Sequence, residues 1–223
     1  MQNDNTTPMS AKNYDSQISL TIPYYEEFHK QTFSVVKNMY FKKIDWLDLG
    51  CGTGVLANKA FKLFHNVKFT MVDPSEKMLE TAKKNNASSQ AMYVCAGSDN
   101  INFIDEFDVI TAIQSHHYMH KDERKKASEN VYRALHKGGI YITFENVIPE
   151  TEEIRNLELQ RWGTYQKEHG KSDDEVRKHI ARCGVNYFPI TIKQHIELLE
   201  ETGFRNIHVF WYSYMQAGIY AMK

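Results

Sequence analysis

Long apolar runs are missing from this chain, so no segment offers the roughly 20 consecutive apolar residues that a membrane-spanning helix needs. The opening MQNDNTTPMS also lacks the basic start and apolar stretch of a secretory signal. A cytoplasmic protein with no membrane partner is expected. Cysteine is scarce: Cys51, Cys95 and Cys183 lie far apart and never form a CxxC pair. That excludes a disulfide framework and a thiolate zinc site, and no metal is expected. Charge of either sign is not in excess, with 27 Lys and Arg against 28 Asp and Glu and a net charge of −1. No global pull toward nucleic acid follows, although folding could still gather a basic patch. Repeats and low-complexity tracts are absent, which excludes a solenoid or a long disordered linker.

What is present is a chain of 223 residues, 42% hydrophobic, long enough for one substantial core and too short for two. From Ile44 onward short β-rich runs alternate with amphipathic helical stretches: IDWLDL, VKFTMV, AMYVC, FDVITAI and GIYITF. That rhythm predicts an α/β fold, a parallel sheet covered by helices on both faces. After Asp122, Ala127, Val131, Ala134 and Leu135 keep helical spacing, with a stop at Gly138-Gly139. Thr191 and Gln194 form a capping-box pattern ahead of a helix ending near Gly203. The last run predicts two strands around 213–216 as a closing antiparallel pair.

The expected organisation is one domain over 1–223. It comprises an N-terminal arm or lid over 10–41, a cofactor-binding half over 44–149, a cap insertion over 150–189 and a C-terminal helix and strand pair over 190–223. In the insertion, Ile154, Leu157, Trp162 and Tyr165 share one helical face, and Val176, Ile180 and Cys183 share another.

The sharpest local signal is Leu47-Asp48-Leu49-Gly50-Cys51-Gly52-Thr53-Gly54, directly after the first strand and opening a helix. Glycines there let backbone turn tightly and approach a ligand. A dinucleotide fingerprint would put its third glycine at position 55, which is Val55, so a dehydrogenase is disfavoured. The second strand ends in Asp73, followed by Pro74 and Ser75. An acid there lies beside the glycine loop in a doubly wound sheet, where its oxygens can accept both hydroxyls of a ribose.

From Trp46 to Lys223 the chain resembles the class I S-adenosylmethionine-dependent methyltransferases. The residues that carry the likeness are LDLGCGTG at 47–54, Val72-Asp73-Pro74-Ser75 with Met78 in the next helix, Phe107-Asp108-Val109-Ile110, and Leu135-His136-Lys137-Gly138-Gly139. The resemblance implies a Rossmann-like, doubly wound, mostly parallel seven-stranded sheet with an antiparallel last strand. It implies S-adenosyl-L-methionine as cofactor, leaving as S-adenosyl-L-homocysteine. Asp48, Gly50, Cys51, Gly52 and Gly54 would surround the methionyl part, and Asp73 with Pro74 and Met78 would hold the ribose side. The loop after the third strand would meet adenine; it reads Gly97-Ser98-Asp99 where many relatives have Gly-Asp-Ala, so Ser98 and Asp99 are both candidates.

After FDVITAI comes Gln114-Ser115-His116-His117-Tyr118, a polar cluster expected near the transferring methyl. Gln114 is a candidate cofactor contact. His116 and His117 are candidate general bases, with a structural role expected for at least one. Tyr14 and Tyr25 are the arm residues expected nearest the cofactor, Tyr14 also as a catalytic candidate, because Tyr14-Asp15 resembles the lid segment of many small-molecule methyltransferases. Methyl transfer to a small-molecule substrate is the expected reaction. The alternatives are a tRNA-modifying methyltransferase or carboxylated-cofactor synthase, and a catalytically silent cofactor-binding subunit. Nucleic acid is a disfavoured partner, with tRNA kept open, and the sequence says nothing of oligomeric state.

Overall fold

The computed structural model describes residues 14–86 and 90–223. Its centre is a seven-stranded sheet: β1 Ile44–Leu49, β2 Val67–Asp73, β3 Ala91–Cys95, β4 Phe107–Ile113, β5 Leu135–Asn146, β6 Arg205–Ser213 and β7 Gln216–Met222. The order is β3-β2-β1-β4-β5-β7-β6. Pairings from β3 across to β5 are parallel, whereas β7 runs antiparallel to both β5 and β6. Strands covered on both faces have no solvent side for polar residues, hence the near-continuous apolar runs. The chain order reverses between β1 and β4. The connections from those two strands lead to helices on opposite faces of the sheet, and the crevice at their carboxyl ends is the usual ligand position in such sheets.

Alternation along β1 feeds two cores. Trp46 joins Phe28, Phe33, Phe69, Ile142 and Phe144 on one face, while Leu47 and Leu49 join Ile110, Val131, Leu135 and Phe204 on the other. The first face holds α2 (Tyr25–Asn38) and α3 (Val55–Leu63). Phe28 stacks on Phe144 at 4.6 Å and Trp46 on Phe69 at 5.0 Å, offset ring pairs that lock helix to sheet. The remaining helices are α1 Tyr14–Thr21, α4 Glu76–Asn85, α5 Lys121–Ala134, α6 Glu152–Glu168, α7 Asp173–Ile180 and α8 Ile192–Thr202. No helix among the described residues is long and apolar enough to cross a membrane.

The expected capping box of Thr191 and Gln194 opens α8, and Gly203 closes it in the left-handed region. The arm forms two helices parted at Tyr24, whose φ of 55° no helix interior accepts; its residues 10–13 lie outside the described residues. Two expectations need correcting. The helix after Asp122 ends at Ala134, because Leu135 already pairs with Phe107 as the first residue of β5. The apolar stripe of α6 covers neither space at the end of the sheet: Ile154 and Leu157 are about half exposed, Leu157 and Tyr165 border an open groove with Tyr214, and only Trp162 turns fully inward. The Trp162 indole donates to Thr21 O at 2.6 Å and the Tyr165 hydroxyl to Ser19 O at 3.1 Å, so α6 clasps α1 from outside.

Candidate functional site

The β1–α3 turn is shaped by three glycines at positive φ, Gly50 at 67°, Gly52 at 54° and Gly54 at 77°. Two of them do different work. A Cβ on Gly50 would lie 2.4 Å from Ser115 Cβ, so only glycine lets the loops after β1 and β4 touch; a Cβ on Gly52 would meet nothing within 4 Å, leaving open space over the turn. From the end of β2, Asp73 Oδ2 accepts the Gly52 N–H at 2.9 Å and Oδ1 accepts the Ser75 N–H at 2.9 Å. Ser75 Oγ then caps α4 by accepting from Met78 N.

These elements enclose a cleft of about 260 Å³ bounded by Tyr14, Gly50, Gly52, Asp73, Pro74, Met78, Ser98, Asp99 and Gln114, with Gly97, Ser115, His116, Tyr118, Met119 and Glu123 completing it. Nine sequence-predicted residues for cofactor binding thus converge. Asp48, Cys51, Gly54 and Tyr25 do not line it and form its backing. The Asp48 carboxyl accepts from the Thr111 hydroxyl at 2.7 Å, and burial together with nearby Asp73 pushes its pKa up to about 7. The Cys51 thiol is buried and its pKa is raised, first by that burial. Gly54 has no room for a Cβ beside the Asn86 amide, 2.4 Å away, so its glycine serves packing of α3 on α4. Tyr25 is raised out of the ordinary tyrosine range by burial and the charge of Asp15, and it packs edge-on against Phe28. Gln114 sits at φ 55°, a left-handed strain held by its N–H donating to Phe144 O at 2.7 Å.

Beyond the cleft, a smaller cavity of about 30 Å³ shares Tyr14, Gln114 and Tyr118 with it. Its other walls are Ile18, Thr21 and Ile22 of the arm, and His117, Asn146, His179, Arg182 and Tyr187. Arg182 hydrogen-bonds the Tyr118 hydroxyl, and its guanidinium stands 5.9 Å from the Tyr187 ring centre. Burial lowers His179 to a pKa of about 4, which keeps that ring neutral.

The two candidate bases part company here. The His116 ring lies 3.1 Å from the Tyr141 hydroxyl, and burial drives its pKa down to about 4, so its place is structural. The His117 ring lines the smaller cavity and sets Nδ1 2.9 Å from Glu145 Oε2. Glu145 closes β5 and was not among the sequence candidates, although an acid ending an apolar strand beside the crevice is a readable signal. His179, Arg182 and Tyr187 were missed because nothing in their local pattern marks a binding segment.

Comparison with known proteins agrees with this geometry. Residues 47–139 match the family model described as a methyltransferase domain. A carboxy-S-adenosyl-L-methionine synthase of Staphylococcus epidermidis is 27% identical over 226 residues, covering 96% of this chain and 94% of that protein. The synthase of the same name from Nautilia profundicola is 25% identical, with 89% and 86% covered. Among solved structures, a protein of Methanococcus maripaludis described as a candidate S-adenosyl-L-methionine-dependent methyltransferase superposes with a TM-score of 0.69 at 19% identity, covering 100% of this chain and 96% of its own.

Proposed function

We propose that this chain, an S-adenosylmethionine-dependent enzyme with the class I methyltransferase fold, transfers the cofactor's methyl group to a small-molecule acceptor held in the cavity between the arm and Arg182. The observation that carries this reading is the pair of joined spaces. The larger is lined by the acid Asp73, by a glycine turn open above Gly52 and by Ser98 with Asp99, a set that suits a nucleoside joined to an amino acid. The smaller, about 30 Å³ and walled by α1, would take only the reacting end of an acceptor.

S-adenosylmethionine supplies an electrophilic methyl on a good leaving group. The protein's share is alignment and exclusion of water. Asp73 would hold the ribose hydroxyls, Ser98 or Asp99 the adenine, and Gly50 and Gly52 would admit the methionyl part. Tyr14 and Tyr118 stand between the two spaces and would keep water from the reacting atoms.

The test is to incubate the protein with methyl-labelled donor and either bulk tRNA or a protein-free metabolite extract. Label entering the metabolite pool is expected; faster entry into tRNA would refute the reading. A second reading, synthesis of a carboxylated cofactor, is favoured by the names of relatives matching along nearly their whole length and by the Arg182 cation, which suits a carboxylate in the cavity. Mass spectrometry of the donor separates them, since that product keeps its methyl carbon and gains a carboxyl.

A further inference from the structure

We propose that Glu145 is a positioning residue that fixes His117 as a proton acceptor, so that the acceptor is a protic nucleophile, a hydroxyl, thiol or amine. This rests on the methyl-transfer reading above.

Hydrogen-bond polarity carries the argument. Glu145 Oε1 accepts the His116 N–H at 3.2 Å and Oε2 accepts the His117 N–H at 2.8 Å; the Thr143 hydroxyl, 2.8 Å from Oε1, has the Ala112 carbonyl oxygen as an alternative acceptor at 2.8 Å. A carboxyl that takes two backbone N–H donors is favoured as the carboxylate, which can only accept. Burial pulls its pKa up, yet the hydrogen bond from the His117 ring opposes it, and the carboxyl stays below the usual range. His117 Nδ1, 2.9 Å away, is therefore the nitrogen that carries hydrogen. His117 lines the cavity, and with Nδ1 turned to Glu145 the ring has Nε2 left for an occupant.

Other groups around the pair leave this assignment alone. His116 and His195 are neutral, both driven to about 4 by burial. Arg124 is committed to His116 O and Phe188 O. His179 and Arg182 face the same cavity from the α7 side. In the reaction the acceptor's proton passes to His117 Nε2 as its lone pair forms the bond to the methyl carbon. The carbon–sulfur pair returns to sulfur, giving S-adenosylhomocysteine, and the proton later leaves to solvent.

Two measurements test the proposal. Long-range ¹H–¹⁵N spectra of histidine-labelled protein with S-adenosylhomocysteine, with His117→Gln assigning the signal, should show His117 protonated at Nδ1 and bare at Nε2 at high pH. The opposite tautomer would overturn the proposal. With the metabolite pool as acceptor, Glu145→Gln should lower kcat about 100-fold with donor KM unchanged, and move the rising limb of the pH profile to lower pH. Glu145→Asp should recover part of the rate and carries the test if the glutamine variant does not fold. Unchanged kcat and pH limb in a folded variant, or label found on carbon, overturns the proposal alone. Label moving into no pool overturns the methyl-transfer reading and the proposal with it.

Discussion

Gly52 donates its backbone N–H to Asp73 Oδ2 across 2.9 Å, tying the turn after β1 to the end of β2. The same carboxylate steadies the turn and faces the cleft. Asp73→Ala should therefore remove most of the rise in Tm produced by S-adenosylhomocysteine, which stabilises by binding the native state. Thermal melts with and without the ligand check this. An undiminished rise in a folded variant would sink the assignment of the cofactor site.

Gly50→Ala combines two penalties, a left-handed φ of 67° and a Cβ 2.4 Å from Ser115 Cβ. A loss of about 1–3 kcal/mol in stability and weaker ligand binding are expected. Adding Ser115→Gly should restore part of the stability by removing the collision, leaving the backbone cost. Urea titration of the single and double variants measures both.

The arm is also tied from within, since the Thr53 hydroxyl donates to Asp15 Oδ1 at 2.6 Å. Thr53→Val should speed proteolysis at the α1–α2 junction and raise the dissociation rate of S-adenosylhomocysteine while the sheet melts normally. Limited digestion followed by mass mapping, with ligand release in stopped flow, reads the two effects. An arm no more labile than the parent's would show the tether to be idle.

Asp48 titrates near 7 when folded, well above its unfolded value of about 3.9. Between those values the folded state holds the proton that the unfolded state has lost, so this group's contribution to stability is complete at low pH and falls as pH rises toward 7. Asp48→Asn keeps an acceptor for Thr111 and removes that slope. Its stability relative to the parent should climb on the order of 3 kcal/mol from pH 4 to pH 7 and then level off. A constant difference in chemical denaturation across that range would refute the assignment.

The sheet and the residues that line the cleft were legible because each rests on short-range chemistry. The runs from IDWLDL to GIYITF show their double-sided burial as unbroken hydrophobicity. The glycine turn and Asp73 advertise conformational demands that few residues meet. The α6 stripe misled for a related reason: Ile154 and Leu157 keep helical spacing with Trp162, but periodicity cannot say which neighbour a helix will find, and α6 packs on α1 and α7. Arg182 was hidden because its meaning comes from a partner far along the chain, Tyr118.

Tyr14 belongs to the walls of both spaces, and it rides on a helix held by Thr53 on one side and Trp162 on the other. A movement of that helix would open both spaces at once, so under the proposed reaction one motion governs access to each of them.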